Sequence, residues 1–365
     1  MLNSKVLIDH LLRKEAADRI GLYENVWPDT QLKWVGEGYP LNSEDEKPAN
    51  PADVFDLDLF RIIKKFDTKP LQGLHQVIEE NDEWVSARDG AGALLKHWKH
   101  KSGTPEHLDF LMNSREIWEA DYRTHLLSAD RNRLDIEGTK NELNLRRLHG
   151  FWSCYWTEGL WETMRGCLGD VCMLESIVFD PEWIHDFNRV YTDFFINHFR
   201  ILIEEAGKPD GVWISDDIAY NNGLFCSPKQ LEEFFLPYYR QLTEFFHSYD
   251  MPVILHSCGR VEKALDIIVD AGFDAIHPMQ RKAGCDPLKF AERFSDKLAF
   301  IGGLDVMVLE AGDKESIRGE VIQLIEGMKA RGAKYIFASD HSISTNVSFE
   351  NYKYALEIYN EHKFY

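Results

Sequence analysis

At 365 residues, 44% hydrophobic and 28% charged, the chain can bury a large core and falls within the range of one α/β barrel or two ordinary domains. Its formal charge of -20 and pI near 5.1 exclude an extended phosphate-binding surface, because nucleic-acid affinity rests on Lys and Arg displacing counterions. No window reaches the roughly 18 consecutive apolar residues that a membrane-spanning helix needs. The opening MLNSKVLIDHLLRKEAADRI mixes acids and bases through its apolar positions, unlike a signal peptide, so a cytoplasmic protein is expected. The six cysteines, Cys154, Cys167, Cys172, Cys226, Cys258 and Cys285, lack paired disulfide-framework spacing and read as reduced thiols.

In chain order, residues 1–80, with the turn-rich GEGYPLNSEDEKPANPADVFD, read as an N-terminal helical extension and surface loop packed on a catalytic domain of residues 81–365. A weak strand at EWVSA (83–87) precedes a clearer one at HGFWSCYW (149–156), and a helix runs from Asp180-Pro181 to about Gly207. Strand GVWIS (211–215) leads into one long helix starting at Ser227, with Pro228 at its first position and Gln230 completing a capping box. Strands then follow at PVILH (252–256), DAIHP (274–278), LAFIG (298–302) and KYIFA (334–338), each trailed by a helical segment, at 260–272, 286–296, 314–332 and 348–362. Such β-α alternation implies parallel strands covered by helices. The expected fold is an α/β (β/α)8 TIM barrel, with seven of eight strands found and a doubly wound sheet as the competing architecture.

In both architectures chemistry gathers past the carboxyl ends of the strands. Five such ends carry reactive groups: Asp216 and Asp217; His256 and Cys258; His277 and Gln280; Asp305; Asp340 and His341. A single histidine there is more often structural than ligating, so the argument rests on the group. His256 and Cys258 both reach a metal if the chain turns at once, which Gly259 permits, and His341 supplies a third zinc ligand. Asp216 and Asp217 alternate sides while extended, so at most one faces the pocket. Aromatics in FWSCYWTEGLW (151–161) line an apolar pocket or are plain core, and Cys285 reads as a small apolar filler. The chain contains no phosphate-cradling glycine loop, no G-x-S-x-G elbow and no H-E-x-x-H.

PVILHSCGRVEKALDIIVDAGFDAIHPMQ, LAFIGGLD and YIFASDHSISTNVSFENY together resemble the uroporphyrinogen decarboxylase-like superfamily of TIM barrels, over roughly residues 145–362. That superfamily holds heme-pathway decarboxylases and cobamide-dependent methyltransferases. The arginine-rich segment of the decarboxylases is replaced here by DRIGLYENVWPDTQLKWVGEG (18–38), where Arg19 alone matches and Glu24 and Asp29 would repel a polyanionic porphyrinogen. The methylcobamide:coenzyme M methyltransferases are similar at the His-x-Cys, and their last-strand cysteine falls at His341. The resemblance implies a zinc-dependent methyltransferase, with zinc on His256, Cys258 and His341 and a corrinoid (cobalamin) carried by a partner protein. On that reading Asp216 or Asp217, by their place at a strand end, complete the site or handle a proton, and Trp156, Gln280 and Asp305 orient a small methyl donor or acceptor. A homodimer is left open. The alternatives are a tetrapyrrole decarboxylase and a non-catalytic tetrapyrrole- or corrinoid-binding barrel.

Overall fold

The computed structural model describes residues 2–43, 45–62 and 66–365. Eight short strands form its centre: β1 (Gly21–Leu22), β2 (Leu59–Ile62), β3 (Trp152–Glu158), β4 (Gly211–Ser215), β5 (Val253–His256), β6 (Ala275–His277), β7 (Ala299–Ile301) and β8 (Tyr335–Phe337). They pair in parallel in the order β1-β8-β7-β6-β5-β4-β3-β2, the ring expected of a (β/α)8 barrel. Among the described residues no ladder joins β1 to β2. The seam is held at its lower end, where the Asp58 amide donates to the Leu22 carbonyl (2.9 Å) and the Leu22 amide to the Asp58 carboxylate (2.9 Å).

Alternate strand residues point at the barrel axis. Leu59, Trp152, Trp213, Ile254, Ala299 and Ile336 meet there in one buried cluster, and Leu7, Ile8, Leu11 and Leu12 of the helix Ser4–Leu12 pack into it. This helix therefore plugs the end at which the strands begin. The outward residues pack against the ring of helices in a second, larger cluster. Among the described residues no helix is long and apolar enough to cross a membrane.

Three expectations from sequence need correction. Residues 1–80 are more than an extension, because they supply β1 and β2. The strand foreseen at 83–87 exists as Trp84–Asp89, but it belongs to a separate antiparallel sheet with His75–Glu80, Ala93–Trp98 and Glu106–Phe110. The missed barrel strands are two and four residues long, and β2 carries an arginine, so neither shows an apolar run. The single helix expected from Ser227 is two, Pro228–Phe234 and Leu236–Ser248. Pro237 cannot donate a helical hydrogen bond, and its ring clashes with the carbonyl four residues back, which breaks the helix at Phe235. The capping box of Ser227 and Gln230 is present.

Candidate functional site

The inward parity of the strands continues past their apolar layers into a polar one. Above Trp213 and Ile254 the same faces carry Ser215 on β4 and Asp217 just past it, and His256 on β5 and Cys258 just past it; β6 adds His277. Asp217, His256 and Cys258 converge, with one donor atom from each lying within 4.8 Å of the others. The His256 Nε2 atom is 3.5 Å from the Cys258 Sγ atom and 3.7 Å from Asp217 Oδ1.

Backbone chemistry holds this arrangement. Gly259 adopts φ +84°, the left-handed turn that glycine makes at no steric cost, and a Cβ there would lie 2.5 Å from the Ala219 backbone. The chain thus bends directly after Cys258. The Cys258 amide donates to Asp217 Oδ1 (2.7 Å) and the Gly259 amide to Gln280 Oε1 (2.8 Å), so Asp217 and Gln280 brace the turn from neighbouring loops.

The Nδ1 atoms of His256 and His277 are 2.6 Å apart, so one ring donates to the other. For Nε2 of His256 to present a lone pair to Cys258 and Asp217, its Nδ1–H must be the donor. Burial, foremost, pulls His256 down to about 4 against the opposing pull of Asp217, with Arg61 and His341 lowering it further. Burial, then the His256 ring, holds His277 well below the ordinary histidine range. Both rings are neutral near pH 7, as ligation requires. Burial, then Asp217, pushes the Cys258 thiol well above its ordinary range.

These three side chains fit a divalent metal. Zinc bonds of ~2.0 Å to nitrogen and ~2.3 Å to sulfur at a tetrahedral angle separate the two donors by about 3.5 Å, the spacing of His256 and Cys258. A neutral imidazole oriented through its other nitrogen, a thiol and a carboxylate form a donor set that zinc accepts, with a fourth position left open. Such an ion would also offset the burial that keeps the thiol protonated.

The other residues singled out by sequence occupy different positions. Asp216 turns away from the cluster and is fully buried, accepting from the Tyr239 hydroxyl (2.5 Å) and the amides of Glu162 (2.7 Å) and Trp161 (3.2 Å). Burial pushes it up to about 7, with Tyr239 opposing. It caps the helix Leu160–Leu168, where a Cβ on Gly159 would stand 2.3 Å from its carboxyl. The His341 ring stands edge-on to Trp27 (5.8 Å between centroids), outside the converging group. Asp305 caps the helix Val306–Ala311 through the Met307 amide (2.9 Å), and Trp156 Nε1 donates to Ser215 Oγ (2.7 Å). Asp340 ties two loops together by accepting from the amides of Arg281 (2.7 Å) and Val306 (3.0 Å).

Three residues escaped the sequence reading. Glu162 lies in the helix after β3 and is pushed up to about 8 by burial, with Arg165 opposing and Asp217 adding to the rise. Tyr23 and Arg61 come from the two short strands: Arg61 sits 5.6 Å from the Tyr23 ring centre and 5.0 Å from that of Trp213, and Trp213 packs on both His277 (4.8 Å) and His256 (6.3 Å). Their only sequence signal was parity, two residues beyond Gly21 and Leu59.

A methyltransferase from Methanosarcina mazei shares the fold, with a TM-score of 0.71, 16% identity and 99% of each chain covered. A protein described as uncharacterized (TM-score 0.27, 14% identity, 45% of this chain and 43% of that one) and a triazine hydrolase variant (0.29, 10%, 58% and 50%) are too distant in structure to inform the reading. No curated protein sequence matches the chain. The profile of the family described as uroporphyrinogen decarboxylase (URO-D) matches residues 171–362, which contain β4 to β8 and all three converging donors. That match spans more than half of the sequence, and the chain belongs to the uroporphyrinogen decarboxylase family.

Proposed function

We propose that the protein is a metal-dependent methyltransferase that moves a methyl group between a small molecule and a corrinoid carried by a separate protein. The convergence of His256, Cys258 and Asp217 at the open end of the barrel, with His277 behind the imidazole, is the observation that carries the reading. The fold shared with the Methanosarcina mazei methyltransferase supports it. Asp217 takes the place that sequence spacing gave to His341.

A zinc ion held by these residues would act as a Lewis acid on the heteroatom that gains or loses the methyl group. His277 fixes the His256 ring so that Nε2 faces the mouth, and Gln280 holds the turn that aims Cys258. Glu162, with its affinity for protons raised by burial, exchanges a proton with the substrate heteroatom near neutral pH. Trp156, fixed by Ser215, and Trp27, against His341, supply apolar walls that exclude water.

The decarboxylase reading has less support. Arg19, the residue that matches the decarboxylase arginines, lies before β1 at the plugged end of the barrel. It is held by both oxygens of the buried Asp58 (2.7 Å each) and cannot meet a ligand at the opposite face.

The test is methyl transfer with free cobalamin in both directions: methylcobalamin with a small thiol, and cob(I)alamin with a methylated thiol or methoxy compound, each followed by cob(I)alamin absorbance. Turnover at least tenfold above that of Cys258→Ala is expected, and its loss on chelation with recovery on zinc. Turnover by Cys258→Ala equal to wild type would overturn the reading.

A further inference from the structure

The barrel seam opens upward. Below, Asp58 closes it onto Leu22; above, β1 and β2 diverge around a cavity of about 410 Å³ whose walls include Tyr23, Asn25, Val26, Leu57, Phe60 and Arg61. Two larger depressions, of about 820 and 700 Å³, lie on the flank around Phe110 and Phe179 and around Ala129 and Arg133, and touch no residue at the carboxyl end of a barrel strand.

The seam cavity is mostly apolar, yet it holds one cation and one idle hydroxyl. The Arg61 guanidinium donates to Asn25 Oδ1 (3.2 Å), and among the described residues no carboxylate pairs with it. The Tyr23 hydroxyl is buried, lies beside Arg61 and has no hydrogen-bond partner of good geometry. A buried hydroxyl left unmatched costs stability unless a ligand completes it. The one acid in the wall, Glu24, is already engaged by the Ser339 hydroxyl (2.6 Å), the Ser339 amide (3.1 Å) and the Asn25 amide (2.9 Å), so it does not compete for Arg61. Tyr23 and Arg61 also pack against Trp213, the residue that underlies His256 and His277.

We infer that the seam between β1 and β2 is a substrate subsite that binds the carboxylate of a small aromatic acid, with Arg61 and the Tyr23 hydroxyl on the carboxylate and the apolar walls around the ring. A guanidinium offers paired donors in the plane of a carboxylate, and contact with the faces of Tyr23 and Trp213 restrains where Arg61 lies. One cation and one hydroxyl match a monoanion rather than a phosphate dianion. The inference rests on the methyltransferase reading only for which end of the acid reacts; the subsite itself needs no metal.

The probe is benzoate, with benzamide as its neutral counterpart, titrated by calorimetry before and after chelation. Benzoate is expected to bind wild type at least tenfold more tightly than benzamide, to lose at least tenfold in Arg61→Met and less in Tyr23→Phe, and to bind equally well after chelation. Equal affinity for the two probes in wild type, or no benzoate binding at all, overturns the inference without relying on any variant's folding. Undiminished benzoate binding by Arg61→Met does the same. Benzoate binding that survives chelation in a protein without methyl transfer would separate failure of the function from failure of the subsite.

Discussion

His277 shows how much a single side chain behind a ligand matters. Its Nδ1 accepts the hydrogen bond from the Nδ1–H of His256, which leaves the lone pair on His256 Nε2 free to ligate. Removing an oriented partner of this kind typically lowers metal affinity about 10- to 100-fold. His277→Ala is therefore expected to weaken zinc binding by that factor in a competition titration while the protein stays folded, and unchanged affinity would show that the ring pair is only structural. The pair His256 and Cys258 was legible in the sequence because a strand and a turn glycine fix where both residues point. Asp217 as their companion was not, since nothing in the spacing tells which residue of another loop closes on a site. The alternation rule did separate Asp216 from Asp217, and the structure turns one into a helix cap and the other toward the donors.

Among the elements, the seam strands carry the most consequence for their size. β1 and β2 total six residues, so the ladder contributes little there and the buried pair of Arg19 and Asp58 ties the two ends. Asp58 also accepts from Ser4 Oγ (2.6 Å) and the Leu22 amide (2.9 Å), linking the plug helix to both strands. Deleting one member of such a pair leaves a buried charge uncompensated, at a cost of about 3–5 kcal/mol. Asp58→Ala is expected to lose that much in denaturant unfolding, and a loss below about 1 kcal/mol would refute the role. The later strands could be read directly from apolar runs such as PVILH and KYIFA, whereas β1 and β2 take their strand character from partners distant in sequence. The same tertiary override moved 84–89 into a side sheet, because a short apolar stretch specifies a strand but not the sheet it joins.

For the whole molecule, buried acids set the alkaline side of stability. Glu24 and Asp216 are pushed up to about 7, and Glu162 to about 8, chiefly by burial. The native state holds these protons while the unfolded chain releases them from about pH 4.5 upward, so their contribution to stability is lost as pH rises toward 7–8. Neutral buried histidines, including His198, His256 and His277, act oppositely and lose stability below about pH 6.5, where the unfolded chain binds protons that the native state refuses. Above pH 6.5 the acids dominate. Melting temperature should fall between pH 6.5 and 8, and fall less steeply in Glu24→Gln; parallel curves for the two proteins would contradict the assignment for Glu24.

Whether His256, Cys258 and Asp217 hold a metal is read most directly by metal analysis of protein purified without chelator. About one zinc ion per chain is expected in wild type, lost in Cys258→Ala and reduced in Asp217→Ala, but retained in His341→Ala. Wild type without zinc that also fails to take it up, or full zinc content in Cys258→Ala, would contradict metal binding by these residues.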